Sequence, residues 1–187
     1  MRSPIESCPR LKLAQTRRSH MTRLIAAYPC LGKSMLHTLN RGSTLDIEVY
    51  ESRATRDMTP DQADAYFTGA AMMIDAIASC DSYDHVFITE DDRLITKLLE
   101  LGYADQLTLV FPDLDTGLEA YHRRILERND ESWWQRVIVP ELDELPSRIE
   151  RYRSLGLDLI QTGAYQYLED VIDFGLEFVK PGGDRHG

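Results

Sequence analysis

The tightest constraint on the fold is one short stretch. An apolar run, Leu24-Ile25-Ala26-Ala27, breaks at Tyr28-Pro29 and passes through Cys30-Leu31-Gly32 to Lys33-Ser34. Four apolar residues closed by a proline read as a buried strand of a parallel sheet. Residues 34–39 then carry a helical pattern that stops near Asn40-Arg41-Gly42. A strand, a tight loop and a helix in direct succession are the opening of an α/β fold.

The alternation continues. Residues 44–49 alternate as a second strand, and Thr59-Pro60-Asp61-Gln62 combines a cap, a first-turn proline and an acid at a helix start. That helix is predicted to run to about residue 79. Further strands are predicted at 85–89, 107–111 and 157–161. Helices are predicted at 93–101, over much of 115–155, and at 165–178. The sum is an α/β chain: a three-layer fold of about five parallel strands, helices on both faces and a helical lid at about 115–129. Residues 21–180 form its one domain, and 181–187 a flexible tail. In such sheets ligands bind at the carboxyl ends of the strands.

The chain has 187 residues and a net charge of −10, enough length for one domain with a substantial core. Residues 1–20 are basic, with Arg2, Arg10, Lys12, Arg17 and Arg18 against Glu6 alone. They are expected to be a flexible extension upstream of a start at Met21, or a tail that docks nucleic acid. The remaining acidic body argues against a broad duplex-binding footprint and for a small anion, or a nucleic-acid end, at a local site. No apolar run reaches the roughly 18 residues of a membrane span. Cys8, Cys30 and Cys80 are too scattered for a disulfide framework or a zinc site, which fits a reducing cytoplasm.

Ala27-Tyr28-Pro29-Cys30-Leu31-Gly32-Lys33-Ser34 has the strand–loop–helix setting of a Walker A phosphate loop. Its amides and the helix dipole favour phosphate oxygens. Lys33 would reach the β- and γ-phosphates, and the Ser34 hydroxyl would hold magnesium. Ala27 stands where that pattern has its leading glycine, so the chain must enter the loop with strand-like angles. Cys30 reads as a small filler whose amide matters more than its sulfur.

Asp46 and Glu48 alternate on the second strand and share a face. Both are candidates to orient an attacking hydroxyl or a magnesium-bound water, Asp46 as a catalytic and metal-binding group and Glu48 towards substrate. Arg53 and Arg56 follow, either to hold an acceptor phosphate or as a charge-balanced loop. Glu90, in Thr89-Glu90-Asp91-Asp92-Arg93, stands where a Walker B acid contacts magnesium, although this run is equally a helix cap. Arg93 reaches towards substrate from the first turn of its helix. Arg124 and Arg128, four apart, either stabilise the transferring phosphoryl from a mobile lid or form a solvated face. Trp133-Trp134 reads as packing. The histidines are scattered and carry no motif.

These residues resemble the small phage-type P-loop kinases, whose modified Walker A has an aromatic-proline pair in place of the glycine-rich opening. The likeness extends to Val110-Phe111-Pro112-Asp113, Tyr121-His122-Arg123-Arg124 and Gly163-Ala164-Tyr165-Gln166-Tyr167-Leu168, within residues 22–172. It implies a nucleoside monophosphate kinase-like fold, and a host cytoplasm if the chain is phage-encoded. The expected function is an ATP- and magnesium-dependent phosphotransferase with a nucleoside triphosphate donor. A nucleoside monophosphate is the expected acceptor, with a hydroxyl of a modified base or DNA end as the alternative. A non-catalytic nucleotide-binding protein or NTP hydrolase is the reading from another class. The Asn/Thr-Lys-x-Asp base-reading motif of GTPases is absent.

Overall fold

The computed structural model describes residues 21–48, 58–175 and 177–181. The expectations for 1–20, Arg53, Arg56 and the end of the tail fall outside those residues. Five strands, β1 (Arg23–Ala27), β2 (Thr44–Ile47), β3 (His85–Thr89), β4 (Leu107–Pro112) and β5 (Asp158–Thr162), form one sheet in the order β2-β3-β1-β4-β5. Every pairing is parallel. The α/β fold with five parallel strands is therefore as expected.

The central strand explains itself. Leu24, Ile25, Ala26 and Ala27 are wholly buried, because β1 has a strand on each side and helices flank the sheet, leaving no face for a polar residue. Ala27 pairs in register with Thr89 of β3 and Val110 of β4. The chain leaving β1 thus emerges at the same sheet edge as Glu90 and Pro112. It enters α1 (Lys33–Leu39).

Helix α2 (Pro60–Ala78) starts at the predicted cap. Thr59 Oγ1 accepts from the Gln62 amide at 3.3 Å, and Gln62 Oε1 accepts from the Thr59 amide at 2.9 Å. Two otherwise orphaned donors are satisfied at once. Its buried residues, Phe67, Ala71, Ile74 and Ala78, recur every three or four positions and form the core-facing stripe. Helix α3 (Asp92–Glu100) begins with Asp91 as cap, its side chain accepting from the Arg93 amide.

The stretch after β4 breaks into pieces: α4 (Leu114–Arg128), α5 (Glu131–Trp133), a π-helical turn (Trp134–Ile138), α6 (Val139–Leu142) and α7 (Leu145–Ser154). Helix α4 occupies the place assigned to a lid, but its Gly117, Tyr121, Arg124 and Ile125 are buried. A Cβ on Gly117 would lie 3.3 Å from the Ala164 Cα, so the two backbones pack closely. This helix is a wall of the body.

The last predicted helix, 165–178, is reduced to one turn, α8 (Leu168–Val171). Two interactions compete with helix there. The Leu168 amide bonds to the Leu31 carbonyl at 3.1 Å, and Phe174 leaves the turn to pack edge-on against His85 and Phe87. Gly175, at φ 87°, supports the bend.

Candidate functional site

The loop between β1 and α1 is held from three sides. The Tyr28 amide donates to Val110 O at 2.9 Å, and the Leu31 carbonyl accepts from Leu168. The Pro29 carbonyl accepts from the Tyr121 hydroxyl at 3.0 Å. Left-handed backbone falls at Cys30 (φ 58°) and Gly32 (φ 104°), while Ala27 keeps its place in the strand. Alanine in place of the usual first glycine therefore costs nothing here. At Gly32 an added Cβ would meet Tyr167 Cδ1 and Glu169 Oε2 at 3.5 Å, an ordinary contact. The cost of Gly32→Ala then lies in the backbone, about 1–2 kcal/mol. The expected result in urea is a lower midpoint with an unchanged slope.

Lys33 is 8 % exposed and its Nζ donates to the Ala27 carbonyl at 2.9 Å. Burial pulls the ammonium below the ordinary lysine range, and the charges of Asp46 and then Glu48 pull it back up. Those two acids, on and just past β2, are thus the carboxylates whose charge acts on the lysine. Ser34 Oγ donates to Glu48 Oε1 at 3.4 Å. Asp46 Oδ1 is buried without a hydrogen-bond partner among the described residues. Cys30 is half-buried and burial raises its thiol pKa, so the sulfur is a poor nucleophile, as a filler should be.

The loop forms one wall of a cleft of about 760 Å³, whose other walls are the β3–α3 junction and the segment from Arg128 to Arg148. Glu90 at that junction is engaged differently from a free metal ligand. Its side chain is fully buried, the Tyr152 hydroxyl lies 3.0 Å from Oε1 and 2.8 Å from Asp92 Oδ1 with one proton to share between them, and Arg148 Nη2 stands 3.3 Å from Oε2. Burial pushes its carboxyl up to about 7, against the pull of Arg148 and of the Tyr152 hydroxyl. Arg148 also donates to Glu141 Oε2 at 2.9 Å, which accepts from the Tyr28 hydroxyl at 3.4 Å. One chain of polar contacts therefore ties the phosphate-loop candidate through α6 and α7 to the end of β3.

The arginines are divided by their surroundings. Arg93 pairs with Asp91 at 3.0 Å and lies 4.3 Å over the Phe67 ring, and it lines the cleft. Arg124 is buried, donates to Ala164 O at 3.2 Å and lies 4.1 Å over the Tyr167 ring. In this arrangement its guanidinium braces α4 against the segment after β5. Arg128 is exposed, lines the cleft and has no ion pair or hydrogen bond among the described residues. Its charge lowers the pKa of both Cys30 and Lys33, which places it beside the loop.

The residues that sequence reading passed over are Glu141, Arg148 and Tyr152. Arg148 had one signal: it stands four residues before Tyr152 in a helix whose Leu145, Ile149 and Tyr152 are buried. A cation beside an apolar stripe needs a buried acid as partner.

Among the described residues no group of three or more His, Cys, Asp or Glu side chains could hold a metal alone. Magnesium needs less from a protein, one or two oxygen ligands with water and phosphate completing the shell. The Ser34 hydroxyl and the unpartnered Asp46 carboxylate meet that requirement. Glu90 Oε2 is also buried without a hydrogen bond among the described residues, but Arg148 stands 3.3 Å from it and offsets its charge. Among the described residues no helix is long and apolar enough to cross a membrane. No protein-family model matches the chain, and no curated protein matches it.

Proposed function

We propose that the chain is an ATP- and magnesium-dependent phosphotransferase of the P-loop class, with residues 27–34 as its phosphate loop and a nucleotide as its acceptor. One observation carries the reading: a buried lysine at the start of the helix after the central strand, under the charge of two carboxylates on and just past β2. A buried ammonium beside paired acids is a site built for an anion and a cation together. Lys33 would hold the β- and γ-phosphates, and Arg128 would meet charge on the transferring group. Ser34 and Asp46 would hold magnesium, which when bound neutralises charge on the phosphate oxygens. Asp46 would also orient the acceptor oxygen.

Labelled ATP incubated with nucleotides, nucleosides and DNA tests this directly, by locating the transferred label. Transfer to no acceptor would leave binding or hydrolysis as the activity. Asp46→Asn keeps the size of the side chain and removes its charge. The expected outcome is a fall in turnover of about 100-fold with ATP affinity changed only a few-fold, read by steady-state kinetics beside equilibrium binding.

A further inference from the structure

We propose that Trp133 and Arg136 form the acceptor subsite of the cleft and bind a nucleobase that carries a phosphate. The proposal rests on the reading of residues 27–34 as the donor loop. Two adjacent tryptophans have separate environments. Trp134 is buried, stacked on His122 at 4.2 Å and edge-on to Tyr121 at 6.1 Å. Trp133 is only half-buried, with one side packed on the core, and it lines the cleft. Packing therefore accounts for Trp134 and leaves part of Trp133 facing the cleft.

Trp133, Arg136, Val137 and Pro140 recur three, four and seven residues apart, and all four line the cleft. A helical ribbon with that spacing presents one continuous face. Between them runs the π-helical turn Trp134–Ile138, a geometry that gathers at functional sites.

The charges on this wall are unequal. Arg148 is held by Glu90 and Glu141. Arg136 is exposed and donates only to the neutral Ser132 Oγ, at 2.6 Å, with no acid partner among the described residues. In a chain of net charge −10, an arginine without a carboxylate on a cleft wall is matched to an anion from outside. Arg128 serves the loop end of the same wall, and Arg136 stands on the next helical segment, beyond the extended break at Asn129-Asp130. An indole face and a guanidinium three residues apart fit a stacked base and its phosphate. A free nucleoside monophosphate and the phosphorylated end of a single strand share that chemistry.

The full chain, without ATP or magnesium, is titrated with the four deoxynucleoside 5′-monophosphates, the matching nucleosides, and a short 5′-phosphorylated single strand. Tryptophan fluorescence is read beside calorimetry. Trp133 and Trp134 are the two tryptophans of the chain, so the signal is assignable. A phosphate-bearing ligand is expected to quench wild type. In Trp133→Phe the quench is expected to vanish while calorimetric affinity falls only a few-fold, since phenylalanine still stacks. Arg136→Ala is expected to weaken the phosphorylated ligand about ten-fold or more and to leave the nucleoside unchanged. Saturation by the monophosphate assigns a free nucleotide, and saturation by the oligonucleotide alone assigns a strand end. Absence of quenching by either, quenching that survives in Trp133→Phe, or unchanged affinity in Arg136→Ala overturns the subsite. Lys33-dependent ATP binding is measured in the same preparations. If it persists when the subsite fails, only the subsite is lost; if it is absent, the donor reading fails separately.

Discussion

Replacing Lys33 with alanine is expected to lower magnesium-ATP affinity or turnover by about 10–150-fold, the span of a charge-assisted hydrogen bond. The ammonium is already desolvated, so the protein has met that cost in advance of any ligand. Its hydrogen bond to Ala27 O holds it at the loop, and a preorganised cation in a partly closed cleft is worth more than a solvated one. The substitution has a second effect. Without Lys33, the carboxylates of Asp46 and Glu48 lose a cation that offsets their charge, and the Ala27 carbonyl keeps only the long contact from the Glu90 amide at 3.4 Å. Unfolding measured on the same sample separates loss of fold from loss of binding. A folded Lys33→Ala protein that binds and turns over ATP as wild type does would sink the phosphotransferase reading.

Much of this arrangement was legible along the chain because its causes are local. The Thr59–Gln62 cap is two hydrogen bonds within four residues. The strands β1, β3 and β4 carry short apolar runs, at 24–27, 86–88 and 109–111, because both faces of a parallel sheet are covered. The alternation of Asp46 and Glu48 fixes their common face by the pleat alone. What was not legible is long-range. Tyr152 meets Glu90 across 62 positions, and Tyr28 meets Glu141 across 113. Nothing in the run Thr89-Glu90-Asp91-Asp92 distinguishes an acid awaiting a metal from one awaiting an arginine on a distant helix. The shortened last helix fails for the same reason. Its helical pattern is real, but the Leu31 carbonyl and the β3 aromatics offer that segment more than a second turn would. Arg124 shows the limit of face arguments: i and i+4 put it on a line with Arg128, yet one is buried under Tyr167 and the other is open to the cleft.

Removing Arg148 should expose the dependence of the buried carboxylate on its cation. In the native protein Glu90 has its pKa raised to about 7 from an ordinary 4.5. A folded state that holds its proton more tightly than the unfolded state loses stability as pH rises between those two values. Above about pH 7 the wild-type contribution is level, because Glu90 is ionised in both states. Arg148 is what keeps this window narrow, since its charge is the largest influence opposing burial. In Arg148→Ala the carboxyl is raised further, so the variant continues to lose stability above pH 7 where wild type does not. The difference between the two proteins should therefore be smallest near pH 6, where only the loss of the Glu141 contact and of packing remains. One proton allows a change of about 1.4 kcal/mol per pH unit, so by about pH 8.5 the difference should have grown by up to about 2 kcal/mol. Urea unfolding of both proteins across that range measures the difference directly, and other titrating groups cancel between them. Glu90→Gln in the Arg148→Ala background removes the titrating group and should flatten the difference with pH. A difference that stays constant from pH 6 to 8.5, or persists unchanged with Glu90→Gln, would mean that Arg148 acts through Glu141 and its own packing. Glu90 would then be a carboxylate that Tyr152 suffices to hold.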